Sequence, residues 1–144
     1  MEPKAFQELA MELVRKSRPV AAELRTAISR GYYAAYHVGV RWFETLGFVI
    51  PQGPGGHGEV ARRLQNSGDP DLELVGRQLQ RCHRQRIQAD YQLHDQDVET
   101  ANTARLCILQ TAQIVQSLDA CLTDASRRSH VQQAIRAWER KILP

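Results

Sequence analysis

Two side chains that can bind anions and transfer protons, Arg30 and His37, are spaced to share one face of a helix. They are seven residues apart, and seven steps of about 100° return to within about 20° of the starting direction. Tyr33 lies between them, close to the same face. An arginine holds anions and a histidine moves protons near neutral pH, so this face is a candidate wall of an anion site. The alternative is a surface pair neutralised by nearby carboxylates.

A second set of residues with the same chemistry lies later in the chain. Arg86, Asp90 and His94 follow one another at intervals of four, which keeps them within one arc if the segment is helical. An arginine can hold phosphoryl oxygens, a histidine can transfer a proton, and a carboxylate four residues from Arg86 can pair with it and orient it. A purely structural salt bridge between Asp90 and Arg86 is the alternative.

Arginines are concentrated just before this second set. Four arginines stand within ten residues with no acid among them: Arg77, Arg81, Arg84 and Arg86. Acidic residues then follow between positions 90 and 99. Such a run would form a cationic rim along a phosphate backbone, which makes Arg84 a ligand-binding candidate; the alternative is a solvated face. Arg77 and His83 are excluded as a pair, because six helical steps place them about 120° apart.

The segment 51–58, PQGPGGHG, contains four glycines and two prolines and is predicted to be a surface loop. A phosphate-binding loop is excluded, because no Gly-Lys-Ser/Thr follows and no strand precedes it. The next helix is expected over residues 59–65. Helix starts bind anions, so His57, which precedes this helix, is a further ligand-binding candidate.

The elements that must position these residues are helices. The segment 24–47 reads as one long central helix, and amphipathic segments with a period of 3.6 residues surround it. Asp95 is expected to cap a long helix, with Asp97 and Glu99 in its first turn. No segment alternates as a strand would. The chain is therefore predicted to be a single domain over residues 1–144, an all-α, up-and-down bundle of about five helices.

Small residues form a lane on the central helix. Gly31, Ala35 and Gly39 are four residues apart, which allows another backbone to approach closely. The lane suggests a homodimer contact, although packing within one chain would use it equally well.

Composition sets the outer bounds. The chain has 144 residues, a net charge of +3 and a pI of about 9.0, a mildly basic balance compatible with RNA or nucleotide ligands. Cys82, Cys107 and Cys121 are odd in number and match no metal spacing, so they are interpreted as reduced thiols of a cytoplasmic protein. No signal peptide or apolar span is recognised, and neither a metal nor a cofactor is expected.

Three parts of the sequence together carry a family resemblance. They are SRGYYAAYH at 29–37, His57, and RIQADY at 86–91. In these parts the chain resembles the HEPN family of nucleotide- and RNA-associated helical domains. The resemblance covers nearly the whole chain, from about residue 8 to residue 122. It implies a four- or five-helix bundle, commonly a homodimer, with Arg30, His37, Arg86, Asp90 and Tyr91 around one polar groove.

The HEPN resemblance also implies an activity. Many such proteins are metal-independent ribonucleases, and many bacterial ones are toxins paired with a small nucleotidyltransferase antitoxin. Their catalytic motif is an arginine, four to six intervening residues and a histidine, near the start of the penultimate long helix. Arg86 and His94 stand at that place with seven residues between them, whereas Arg30 and His37 have a gap of six but lie on another helix. The resemblance thus implies that Arg86 holds the phosphate, that His94 moves the proton and that Asp90 orients Arg86.

Two classes of function follow from these residues. The first is an endoribonuclease in which the 2′-hydroxyl of RNA attacks the phosphate, a histidine moves the proton and an arginine holds the developing charge. The second is a non-catalytic module that binds a nucleotide or a nucleotidyltransferase partner through the same groove. A helical dimer scaffold without a ligand is the remaining alternative.

Overall fold

The computed structural model describes residues 1–142, which form six α-helices and one short 3₁₀ helix, with no strand in that range. In chain order these are α1 (Lys4–Arg15), α2 (Ala21–Thr45), α3 (Pro54–Gln65), α4 (Pro70–Tyr91), the 3₁₀ helix (Asp97–Glu99), α5 (Ala101–Thr123) and α6 (Ala125–Ile142). The all-α prediction is confirmed. The number of helices is six rather than about five, and α3 begins inside the glycine-rich segment rather than after it.

Helix α2 lies at the centre of the bundle. It packs against α1, α4 and α5, and less extensively against α3, while α3 packs on α4 and α6 on α5. The side chains of Tyr32, Trp42 and Phe43 are at most 2% exposed, so α2 supplies the largest buried rings of the core. The indole Nε1 of Trp42 donates to the Leu118 carbonyl oxygen at 3.0 Å, which satisfies the polar atom of that ring.

The small residues of α2 are used within the chain. A Cβ added to Gly31 would lie 3.2 Å from Oγ1 of Thr111 on α5, and one added to Gly39 would lie 2.9 Å from a methyl group of Val60 on α3. The lane therefore lets α5 and α3 approach α2. It lends no support to a contact between two copies of the chain.

The prediction of a loop over residues 51–58 was wrong in its second half. Helix α3 begins at Pro54, a residue favoured in the first helical turn, and Gly53 precedes it with a φ of 87°. Gly56 has no room for a side chain, because an added Cβ would lie 2.3 Å from the Pro51 carbonyl oxygen and 2.5 Å from Oη of Tyr36. Close packing against α2 therefore outweighs the low helix propensity of glycine.

This arrangement predicts opposite effects for two neighbouring glycines of α3. Gly56→Ala is expected to lower the free energy of unfolding by about 1–3 kcal/mol, because the methyl group collides with fixed neighbours. Gly58→Ala is the matched control: nothing lies within 4 Å of its added Cβ, so a gain of up to about 1 kcal/mol is expected from helix propensity. Urea unfolding of both variants measures the difference, and equal effects would contradict the packing described for Gly56.

The end of α4 is fixed by a side chain from α2. Arg25, only 7% exposed, binds the carboxylate of Glu99 through Nε at 2.8 Å. Its two terminal nitrogens donate to five carbonyl oxygens at the end of α4 and in the following turn, those of Gln88, Ala89, Gln92, Leu93 and Asp95. One guanidinium thus satisfies acceptors that a helix end leaves without partners.

The start of α5 differs from the sequence-based prediction. The side chain of Asp95 accepts from the backbone N–H of Asp97 at 3.0 Å and belongs to the turn before the 3₁₀ helix. The cap of α5 is Thr100, whose Oγ1 accepts from the Thr103 N–H at 3.1 Å. His94 lies in an exposed turn beyond the end of α4 rather than on one helix with Arg86. The two side chains therefore do not share a helical face, as their spacing would require.

Within residues 1–142, every helix is too short or too polar to cross a lipid bilayer.

Candidate functional site

Three helices bring their polar side chains together on one side of the bundle. Helix α2 contributes Arg30, Tyr33 and His37, α3 contributes His57, and α4 contributes His83 and Arg86. We call this group the polar cluster. Tyr32 and Tyr36 of α2 form its inner wall, since their rings contact those of the histidines.

Arg86 is the most enclosed cation of the polar cluster, with 9% of its surface exposed. Its Nη2 donates to Oη of Tyr33 at 2.7 Å. Its Nε lies 3.5 Å from Oδ2 of Asp90, an ion pair without a hydrogen bond, and is buried without an acceptor in the described chain. Asp90 in turn accepts from Oγ of Ser29 at 3.0 Å. The predicted pairing of Arg86 with Asp90 is confirmed.

The third nitrogen of Arg86 is the one available to a ligand. Nη1 forms no hydrogen bond with residues 1–142, so both of its N–H groups remain to be donated. A guanidinium held by Tyr33 on one side and by Asp90 on another is fixed in orientation. It can therefore direct its remaining donors at an anion.

Arg30 and His37 share the face that the helical spacing predicts. The guanidinium of Arg30 lies 4.8 Å from the centre of the Tyr33 ring, and the Arg86 guanidinium lies 5.2 Å from the same ring. His37 stacks near that ring with a centroid distance of 6.0 Å and an interplanar angle of 20°. Tyr33 thus joins two cations and one imidazole, which places positive charge close to a proton acceptor.

The histidines of the polar cluster are held in their neutral form. Burial lowers the pKa of His57 to about 4, and the neighbouring His83, Arg86 and His37 act in the same direction. Burial also lowers the pKa of His83, with Arg86 next in effect, and that of His37, with Arg41 next. All three imidazoles are therefore neutral at pH 7 and able to accept a proton or to donate one hydrogen bond each.

The tautomer of His57 follows from its neighbour. Oη of Tyr32 lies 2.6 Å from Nδ1 of His57. Burial raises the pKa of Tyr32 far above its usual range, so the hydroxyl keeps its proton. Because His57 Nδ1 is its only hydrogen-bond partner among residues 1–142, we assign the hydroxyl as donor. His57 then carries its proton on Nε2, which makes it a neutral hydrogen-bond donor.

The neutral histidines predict a stability that depends on pH. An unfolded histidine binds a proton near pH 6.5, whereas folded His57 does so near pH 4, so the unfolded chain holds more protons between these values. The free energy of unfolding is therefore expected to fall as the pH drops from about 6.5 to 4. His57→Gln should flatten this slope in urea titrations, and His130→Gln, at an exposed position, should not. Parallel curves for both variants would contradict the assignment.

An open groove of about 390 Å³ begins at the polar cluster and follows α2. Tyr33, His37 and His57 line one part of it, and Val40 and Glu44 continue it along the helix. The opposite wall is the segment before α3, with Ile50, Pro51, Gln52 and Gly53. The groove gives an extended ligand access to His37 and His57 together.

Not every candidate residue joins the polar cluster. Tyr91 lies at its edge, 72% exposed, with its ring centre 5.8 Å from the Arg86 guanidinium. Arg84 lines a separate groove with Arg81 and Gln88. His94 lies in the turn after α4. The structure therefore groups Arg86 with His37, His57 and His83 and leaves the role of His94 a prediction.

Sequence reasoning missed two members of the site. His83 stacks on His57 with ring centres 4.9 Å apart and an interplanar angle of 10°, whereas from sequence it enters only as the excluded partner of Arg77. The available signal was its spacing of three from Arg86, which places both on one helical face. Ser29, which donates to Asp90, stands out in the sequence only as part of the family signature.

Within the described residues, no group of three or more histidine, cysteine, aspartate or glutamate side chains is arranged to hold a metal ion. Comparisons of the chain with protein-family models, with curated proteins and with solved structures found no match.

Proposed function

We propose that the protein is a metal-independent endoribonuclease that cleaves RNA through the 2′-hydroxyl of its substrate. The observation that carries the proposal is the enclosed Arg86 guanidinium, oriented by Tyr33 and Asp90, beside neutral histidines that open onto a groove. The resemblance of residues 29–37 and 86–91 to HEPN proteins supports the same activity.

In the proposed reaction, Arg86 binds the scissile phosphate and Arg30 adds positive charge beside it. His37 removes the proton of the 2′-hydroxyl, for which its neutral form is required. The 2′-oxygen forms a bond to phosphorus, the bond to the 5′-oxygen breaks, and water supplies a proton to that oxygen. His57 donates from Nε2 to a phosphoryl oxygen as charge develops. The products are a 2′,3′-cyclic phosphate and a 5′-hydroxyl end.

The activity is tested with purified protein, an end-labelled single-stranded RNA and excess chelator. We expect cleavage that persists in chelator and leaves 2′,3′-cyclic phosphate ends. A DNA strand of the same sequence should remain intact, because it lacks the nucleophile. Cleavage that requires an added divalent ion, or that also cuts the DNA, would contradict the proposed mechanism.

A non-catalytic binding module is the second candidate, and one observation favours it. Tyr32 holds His57 as a neutral donor, and all three imidazoles have lowered pKa values, which suits the binding of an anion without proton transfer. RNA binding that depends on Arg86, without cleavage under any condition tested, would assign the protein to this class.

We further propose that the protein acts as the toxin of a toxin–antitoxin pair, with a small nucleotidyltransferase as antitoxin, and that it forms a homodimer. Both proposals rest on the HEPN resemblance. Induced expression should arrest bacterial growth and degrade RNA, and co-expression of such a partner should restore growth.

The homodimer is tested by sedimentation, which at micromolar concentration should give twice the mass of the 16.3 kDa chain; a monomer at all concentrations would refute the dimer.

A further inference from the structure

The groove beside the polar cluster has a second polar end that the proposed reaction does not use. His37, Val40 and Glu44 all line the groove and lie on one stripe of α2, since they are three and four residues apart. From His37 to Glu44 the helix rises by about 10 Å. The groove therefore continues along α2 well beyond His37.

The walls of the groove suit a flat aromatic group. Tyr33, Tyr36 and His37 present rings, and Val40 and Ile50 add apolar surface. The far wall is held in position, because Gly56 packs directly under the Pro51 carbonyl oxygen and Oη of Tyr36. Nucleobases bind proteins by stacking on aromatic side chains and by hydrogen bonds along their edges.

Glu44 supplies a carboxylate that can form hydrogen bonds with the edge of a base. It is exposed, and the nearest cation along the helix, Arg41, is occupied by the carboxylate of Glu2 at 2.8 Å and by the carbonyl oxygen of Met1 at 3.1 Å. No side-chain hydrogen bond or ion pair within residues 1–142 involves Glu44. A carboxylate group accepts hydrogen bonds through two oxygens that lie side by side.

Among the four RNA bases, guanine alone presents two adjacent donors on its Watson–Crick edge, N1–H and the N2 amino group. Adenine and cytosine present one donor beside an acceptor, and uracil places its donor between two acceptors. A carboxylate thus pairs best with guanine, whereas an acceptor of the base would be repelled by it. Gln52, on the opposite wall, carries an amide that can donate to the guanine O6 atom.

We propose that this groove binds a guanine base next to the phosphate held by Arg86, with Glu44 accepting from its N1–H and N2 amino groups. The inference rests on the proposed function, because it assumes that the phosphate lies at the polar cluster. It assigns to the protein a preference for RNA with guanine beside the cleaved bond.

The preference is tested by binding measurements on the whole chain with 5′-GMP, 5′-IMP, 5′-AMP and ribose 5-phosphate. The wild-type protein should bind GMP at least about tenfold more tightly than AMP, the discrimination typical of a two-bond base contact. IMP, which lacks the N2 amino group, should fall between them. Ribose 5-phosphate should bind weakly, and Arg86→Ala should abolish its binding.

Glu44→Gln keeps the size of the side chain but replaces one acceptor with a donor. It should abolish the difference between GMP and AMP and leave the affinity for ribose 5-phosphate unchanged. Glu12→Gln, on the exposed face of α1, is the matched control and should retain the full preference. Circular dichroism of both variants checks that they fold.

The outcomes separate the two proposals. Equal binding of GMP and AMP by the wild type, or a preference that survives Glu44→Gln, overturns the guanine site, while Arg86-dependent binding of ribose 5-phosphate leaves the phosphate site standing. If the wild-type protein binds none of the four compounds, ribose 5-phosphate included, both the guanine site and the phosphate site are overturned.

Discussion

Replacing Arg86 with alanine is expected to slow RNA cleavage by about 10²- to 10³-fold, the loss typical when one preorganised donor to a developing oxyanion is removed. The large effect is expected because the Arg86 guanidinium is already oriented by Tyr33 at 2.7 Å and by Asp90, so little reorganisation is needed when charge develops. Single-turnover cleavage with saturating enzyme measures the chemical step directly.

Two further variants show whether geometry or charge is responsible. Arg86→Lys keeps the charge but not the planar arrangement of donors, so it should recover only a small part of the rate. Arg77→Ala removes a cation from an exposed position on the same helix and should have little effect. Similar losses from Arg86→Ala and Arg77→Ala would indicate that the whole arginine run attracts RNA through charge alone.

The second large effect is expected at His37. His37→Ala should lower the cleavage rate by about 10²- to 10⁴-fold, the usual contribution of general acid–base catalysis, while RNA binding is retained because Arg86 and Arg30 remain. The reason is position: His37 lines the groove and stacks near Tyr33, which binds Arg86. The wild-type rate should be constant from pH 7 to 8 and fall in acid, since protonated His37 cannot accept a proton.

The same experiment decides between His37 and His94. His94→Ala should leave the rate nearly unchanged if His37 is the base, because His94 lies in the exposed turn beyond α4. His130→Ala, at another exposed position, serves as the control for a histidine outside the polar cluster. Loss of cleavage from His94→Ala with full activity of His37→Ala would restore the sequence-based assignment of the Arg86 and His94 pair.

The parts of the site that lie on one helix could be predicted from sequence. Arg30, Tyr33 and His37 share a face because the geometry of an α-helix fixes their angles whatever surrounds it. The ion pair of Arg86 and Asp90 follows in the same way from a spacing of four. The all-helical class followed from periodicity for the same local reason.

The contacts between helices could not be predicted in this way. The hydrogen bond of Tyr32 with His57 and the stacking of His57 on His83 depend on how α3 packs between its neighbours. Helix α3 itself begins inside a run of glycines, where propensity alone predicts a loop. Gly56 shows the cause, because its missing side chain allows the close contact with Tyr36 of α2. We infer that this contact offsets the low helix propensity of glycine.

The attachment of Arg25 to the end of α4 has a consequence for motion. Helix ends normally fray, and their amide protons exchange with solvent through small local openings. Here the last turn of α4 and the turn after it are bound to a side chain of the central helix, so this region cannot open unless those bonds break. The amides of Gln92 and Asp95, which donate to the Gln88 and Gln92 carbonyl oxygens, should therefore exchange slowly, and only when the contact of this turn with α2 opens.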